Sequence, residues 1–143
     1  MILKIPINLV SLESEGYHLF VEAKLNGKSA NLLIDTGASK TVFDISRISK
    51  LIRKRKNSFE SFEKLSTGLG TNTMQSHHTT IKEFCLGDLS MDNFQVILLN
   101  MSHVNESYEM MGLKPIDGVL GSDLLMIYKA VIDYDKLILK LKI

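Results

Sequence analysis

The sequence predicts a mainly β chain with one or two short helices, and three observations carry that expectation. Apolar and polar residues alternate with a period of two through several segments, the mark of half-buried strands. Asn26-Gly27 separates two such segments and suits a type I′ hairpin, because both residues tolerate a positive φ. Gly87-Asp88 and Asp135-Lys136 are turn pairs that punctuate two further strand pairs.

In chain order, Met1, Leu3, Ile5, Ile7 and Leu9 share one face of a first strand, and Pro6 on the other face marks it as an edge. His18 to Leu25 alternates again, with Leu19, Val21, Ala23 and Leu25 inward, and returns after the hairpin as Ser29 to Ile34. A short Thr41-Val42-Phe43 strand precedes Asp44, which suits the cap of a helix reaching about Lys56. Ile45, Ile48, Leu51 and Ile52 fall on one face of that helix, and Arg53 to Lys56 close it where cations suit the dipole. A polar connection from Asn57 to Ser66 leads to TGLGTNTM, then to strands Thr79 to Leu86 and Phe94 to Leu99. Val104 to Met111 reads as a short helix stopped by Gly112. Val119-Leu120-Gly121 ends a strand, Ser122-Asp123 starts a helix through Tyr128, and strands Ala130 to Tyr134 and Leu137 to Ile143 close the chain.

The 143 residues fit one domain, 1–143, with no repeat, low-complexity tract or linker to divide it. At 45% apolar, with a mean hydropathy of +0.08, the chain reads as globular, and no apolar run approaches the roughly 18 residues of a membrane span. The first ten residues, with Lys4 and Pro6 among them, do not form a secretory signal, and one cysteine, Cys85, excludes a disulfide framework. A cytoplasmic setting is the expectation, with no membrane partner. Seventeen basic against sixteen acidic residues give a net charge of +1, and nucleic acid is not an expected partner. The basic run Arg47 to Lys56 has no interleaved aromatics and reads as a solvated helix end.

LLIDTGASKTVFD, Leu32 to Asp44, stands out because an apolar strand delivers a carboxylate, Asp35, straight into a turn. Burying an ionised carboxylate is costly unless it is hydrogen-bonded or paired. Gly37 permits the tight turn that aims its N–H at the carboxylate, and the Thr36 hydroxyl is a further donor. Asp-Thr-Gly alone also occurs in ordinary turns.

The wider pattern resembles the retropepsin-like aspartic proteases, specifically their bacterial single-domain branch. The matching residues are Asn26 to Asp44, a glycine-bearing segment at Thr67 to Gly70, IDGVLGSDLL at Ile116 to Leu125, and the closing AVIDYDKLILKL. The resemblance implies a closed β-barrel or sandwich and an aspartic endopeptidase, with Asp35 as the catalytic acid. It implies that Thr36 braces the paired loop, Gly37 holds the carboxylate, and Ala38 and Ser39 line the cleft. Val119, Leu120 and Gly121 would pass behind the active-site loop, and Gly68, Leu69 and Gly70 would belong to a flap over a bound peptide or protein substrate. No cofactor or metal is implied.

That chemistry needs two carboxylates sharing a proton, and this chain holds one Asp-Thr-Gly. Asp117-Gly118 lacks the hydroxyl residue, and turn chemistry explains Asp133 and Asp135. The expectation is therefore a C2 homodimer with Asp35 of each protomer at the axis. The alternative is a catalytically silent peptide-binding or assembly module of the same fold. Ser39 and Ser122 replace an Asp and Arg that pair in retroviral members, and the segment after Asp44 is longer. In those enzymes the first and last strands interleave between copies; here pairing within one protomer stays open.

The remaining features have plainer readings. His77 and His78 are adjacent on a strand and point to opposite faces, and with His103 and Cys85 they match no zinc spacing. Gly68-Leu69-Gly70 lacks the third glycine of a dinucleotide loop. Cys85 reads as a small core residue, and Met110-Met111 beside Leu113 as core or cleft lining.

Overall fold

The computed structural model describes residues 1–12, 16–53, 60–62 and 76–143, and within them lie eleven strands and three helices. Strand β1 (Ile2–Pro6) buries Leu3 and Ile5 and turns Ile2, Lys4 and Pro6 outward. The alternation runs unbroken to Leu9, yet the chain divides it between two sheets. Ile7 N donates to Leu137 O at 2.9 Å, after which β2 (Asn8–Ser11) pairs with β3 (Tyr17–Leu25), leaving Leu9 exposed.

β3 and β4 (Lys28–Ile34) make the hairpin, with Asn26 at φ 50° and Gly27 at φ 82° as the turn chemistry requires. β5 (Val42–Asp44) feeds α1 (Ile45–Leu51), and the Asp44 carboxylate caps the helix by accepting from Arg47 N at 3.0 Å. The sequence pattern carries this helix to about Lys56. It stops at Leu51, because Arg53 adopts φ 55° and leaves the right-handed helical region; Lys54 to Lys56 lie outside the described residues.

β6 (Glu60–Phe62) pairs with β7 (Ser76–Leu86), which turns through Gly87 into β8 (Leu89–Leu99). Both β7 and β8 begin earlier than the alternation indicates, because the hairpin ladder supports residues such as Ser90 and Asp92 that lack strand propensity. Phe84 and Leu86 take the inner face of β7, so Cys85 is half-buried on the other side, 3.6 Å from Ser90 Oγ, and not in the core. α2 (Ser102–Met110) ends before Gly112 at φ 70°; Met110 and Met111 are exposed, and Leu113 packs inward. β9 (Gly118–Leu120), α3 (Ser122–Ile127), β10 (Val131–Asp133) and β11 (Ile138–Lys142) complete the chain.

Six strands close into a barrel in the order β3-β4-β9-β5-β8-β7, with β2 and β6 attached at the sides. β1, β11 and β10 form a separate antiparallel sheet, so the first and last strands pair within one chain. β1 is an edge of that sheet, where Pro6 is tolerated. The main core runs through Val21, Leu32, Phe43, Phe84, Leu120 and Leu139, with the Phe43 and Phe84 rings edge-to-face at 6.0 Å. Phe20, Met101, Tyr108, Ile116 and Val119 form a second cluster on the other face of β3, β4 and β9. Burial raises the Tyr108 hydroxyl pKa, and its Oη is hydrogen-bonded to His18 Nδ1. Among the described residues no helix is long and apolar enough to cross a membrane.

Two predictions follow from packing and from charge. A Cβ at Gly118 would stand 2.7 Å from both Val42 O and the Phe43 ring, so Gly118→Ala should cost about 1–3 kcal/mol in urea unfolding. A loss under about 0.5 kcal/mol would contradict the packing described. Asp133 Oδ1 accepts from Lys136 N at 2.9 Å, and Oδ2 lies 3.7 Å from Lys140 Nζ. The backbone bond from Lys136 is the main cause that holds this carboxyl below its usual pKa; desolvation opposes it, and the Lys140 charge adds a smaller lowering. A depressed folded pKa gives stability above the unfolded pKa that is lost as pH falls through the folded value. Asp133→Asn should therefore lower the urea midpoint at pH 7 and converge on the parent as pH falls through the lowered folded pKa of Asp133.

Candidate active site

β4 ends at Ile34 and the chain returns as β5 at Val42, so residues 35–41 form a loop between two strands that both pair with β9. β9 runs parallel to β4, with Leu33 opposite Val119, and antiparallel to β5, with Val42 also opposite Val119. All three β9 residues are buried. A Cβ at Gly121, just beyond β9, would lie 2.6 Å from Lys40 C and 2.9 Å from Ala38 O, so the loop backbone rests directly on that glycine.

Asp35 opens the loop and is exposed. Its N–H donates to Leu120 O at 3.1 Å, and its Oδ1 accepts from Gly37 N at 3.0 Å. A Cβ on Gly37 would stand 3.3 Å from that same oxygen, tighter than most side chains allow, so glycine brings the backbone in beneath the carboxylate. The sequence reading gives Thr36 a hydroxyl bond to this carboxylate. Among the described residues no such bond forms, because Thr36 lies exposed in the turn with Gly37 and Ser39. Ala38 is half-buried against the second cluster, beside Leu33, Val42 and Leu113.

The far end of the loop is fixed by residues that the sequence analysis does not single out for the site. Asp123 Oδ1 accepts from Thr41 Oγ1 at 2.8 Å and Leu124 N at 2.8 Å, and both carboxylate oxygens lie 3.0 Å from Thr41 N. Thr41 Oγ1 in turn accepts from Gly121 N at 3.0 Å, and Ser122 N donates to Ala38 O at 2.7 Å. Residues 120–123 therefore hold the loop at its start, middle and end. The available signal is Asp123 directly after Gly-Ser, where its carboxylate is spent on Thr41 as well as on its own helix.

Two further acids tie the loop's surroundings together. Asp44 Oδ1 accepts from Met101 N at 2.8 Å, fastening the start of α2 to the cap of α1. Asp117 Oδ2 accepts from Asn31 N at 2.7 Å, and Oδ1 is ion-paired with Arg47 Nε. Arg47, the first cation of the basic run, is thus held against the sheet and not merely solvated.

Asp35, Thr36, Gly37, Ala38 and Ser39 are brought against Val119, Leu120 and Gly121. Gly68, Leu69 and Gly70 lie outside the described residues. Among the described residues no group of three His, Cys, Asp or Glu side chains is placed to hold a metal. A depression of about 420 Å³ lies on the outer face of the β1-β11-β10 sheet and has no contribution from the Asp35 loop.

Comparison with known proteins agrees with this geometry. A family model described as aspartyl protease matches residues 21–124. A search of curated proteins gives no match. Among solved structures, a retropepsin-like aspartic protease from Rickettsia conorii aligns with 99% of this chain and 89% of its own, at TM-score 0.63 and 19% identity. The retroviral protease-like domain of Ddi1 from Leishmania major covers 82% of each chain, at TM-score 0.52 and 15% identity. EIAV protease complexed with the inhibitor HBY-793 covers 87% of this chain and 99% of its own, at TM-score 0.53 and 16% identity. The fold is retropepsin-like.

The Asp123 clamp is testable apart from any activity. Asp123→Ala leaves Thr41 N and its hydroxyl without their acceptor, and losing charge-assisted bonds of this kind costs about 1.5–3 kcal/mol. Amide exchange at Thr41 and Ala38 should rise roughly ten- to hundredfold, with a smaller rise in Asp123→Asn, which keeps one carbonyl acceptor. Unchanged exchange in both variants would exclude the clamp.

Proposed function

The chain belongs to the aspartyl protease family, and we propose that it is a homodimeric aspartic endopeptidase with Asp35 of each copy at one shared site. Residues 1–143 act as a single domain in this reading. The observation that carries it is the exposed Asp35 carboxylate, seated at the head of a loop that residues 120–123 hold at three points. Its one backbone donor, Gly37 N, orients the group and leaves its other oxygen for chemistry.

Two such carboxylates close together cannot both ionise, so the pair holds a single proton. The ionised member takes a proton from a water, whose oxygen attacks the scissile carbonyl carbon. The protonated member gives its proton to the carbonyl oxygen, forming a tetrahedral diol. Collapse of that diol gives one hydroxyl proton to the ionised member of the pair as the C–N bond breaks, the nitrogen takes the proton of the other member, and the dyad again holds a single proton. Metal and cofactor have no part in these steps.

An extended peptide would lie across Ala38 and Ser39, bonding through its backbone, with alternate side chains in pockets. Gly68, Leu69 and Gly70 are proposed as part of the flap above it. Val119, Leu120 and Gly121 support the loop from behind, and Thr36 is proposed to reach the partner's loop, which accords with its exposed position.

Asp35→Asn keeps the shape of the side chain and removes its charge. It should lower cleavage of a peptide library by at least about a thousandfold, while circular dichroism and solution mass stay those of the parent. Cleavage that survives in Asp35→Asn excludes the assignment. The parent's specific activity should rise with protein concentration through the dimer dissociation constant.

A further inference from the structure

We infer that the outer face of the β1-β11-β10 sheet docks an acidic peptide segment with apolar side chains, supplied by the substrate outside the residues that are cut. This inference rests on the endopeptidase reading above and names a feature of the substrate that the Asp35 site does not itself demand.

The register sets the side chains of this face. Lys4 on β1 lies opposite Lys140 on β11, which lies opposite Val131 on β10, so the three stand in one row across the sheet. In the next row Ile2 lies opposite Lys142. Leu3, Leu139 and Leu141 alternate with these residues and are buried, which fixes the lysines outward. Lys129 joins them just beyond α3, where Lys142 N donates to Tyr128 O at 2.7 Å. Together they surround the depression of about 420 Å³.

Charge and apolar surface are mixed on this face. Lys140 Nζ lies 3.7 Å from Asp133 Oδ2, and among the described residues no acid is ion-paired with Lys4, Lys129 or Lys142. Ile2 is 53% exposed and Val131 54%, so each outer strand sets an apolar side chain beside the lysines. An occupant complementary to both is anionic and carries apolar groups between its charges. A second copy would bring the same lysines to the contact and be repelled. A phosphodiester backbone offers nothing apolar to Ile2 and Val131, and a flat bilayer would meet a concave face at its rim alone.

α3 connects this face to the catalytic loop. Ser122 N at its start donates to Ala38 O, and Lys129 follows its end. Its six residues rise roughly 9 Å. The Asp35 loop makes no part of the depression, so a substrate that engages both carries its acidic segment outside the cleaved residues. Exposed lysines bind carboxylates weakly and are screened by salt, so docking acts by holding the substrate near the site.

Binding is measured first, on the Asp35→Asn chain so that no probe is cut. By fluorescence anisotropy, labelled EELEELEE should bind saturably and weaken at least about tenfold from about 50 to about 500 mM salt. QQLQQLQQ, which keeps the leucines and removes the charge, should bind at least about tenfold more weakly. Lys4→Glu with Lys142→Glu should weaken EELEELEE at least about tenfold with the circular dichroism of the parent, and Lys4→Gln with Lys142→Gln should give a smaller loss. Equal binding of the two peptides, or binding unmoved by both pairs of substitutions, overturns the inference. So does binding to vesicles of phosphatidylcholine and phosphatidylserine but to neither peptide. Cleavage is then measured on the native chain, with each octapeptide joined to the same cleaved library peptide. The acidic tail should raise kcat/KM at least about fivefold over the neutral one, and Lys4→Glu with Lys142→Glu should bring that ratio to about one. A ratio of about one in the native chain overturns the inference. Charge-dependent binding by a native chain that cleaves no peptide supports the docking surface and refutes the endopeptidase reading alone.

Discussion

The Asp35 loop depends on the absence of side-chain atoms at Gly118 and Gly121. β9 is inserted between β4 and β5, parallel to one and antiparallel to the other, in a space that a Cβ at either glycine would overfill. Close packing turns this into a positional device, since an interior near crystal density leaves a backbone no room to drift. With Lys40 and Ala38 lying on Gly121, the peptide groups of residues 120–122 come within bonding distance of Asp35 and Ala38. The apolar residues of β9 do the complementary work. Leu120 enters the barrel core and Val119 the second cluster, so the strand beneath the loop is gripped from both faces.

The acids divide into two kinds. Asp44, Asp117 and Asp123 are each spent on joining segments: α1 to the start of α2, β4 to α1, and the loop to α3. Each satisfies its charge with backbone donors or a guanidinium, the condition under which a carboxylate leaves water at tolerable cost. Asp35 is different, with one backbone donor on one oxygen and solvent around the rest. Asp35 is held without a counter-charge. Here the peptide groups around it carry the positional constraint.

The barrel strands were legible because each has one buried and one wet face, which writes itself into the alternation. The β3–β4 hairpin, with Leu19, Val21, Ala23 and Leu25 inside, follows directly from that pattern. Phe20 did not, because its burial needs α2, whose Tyr108 arrives from 88 residues further along. The division of the first strand at Ile7 was hidden for a similar reason, since periodicity fixes a face but not the sheet to which the face belongs. At the site, the Asp-Thr-Gly turn and the apolar pair before Gly121 were readable as local chemistry. The clamp of Asp123 on Thr41 was not, being a contact across 82 residues between types that serve equally well as cap and strand starter.

The register of β1 on β11 was set by the inner face, not the outer one. Leu3, Ile5, Leu139 and Leu141 must point into the core, and a slip of one residue would turn all of β1 outward. Lys4 opposite Lys140 is the electrostatic consequence, a pairing that no outer-face preference would select. It has a use all the same. β1 is an open edge, and an edge strand with unpaired backbone groups invites further chains to add on. Lysine beside the ladder and Pro6 within it make that addition unfavourable. The guarded edge thus keeps the sheet from growing into an open-ended array.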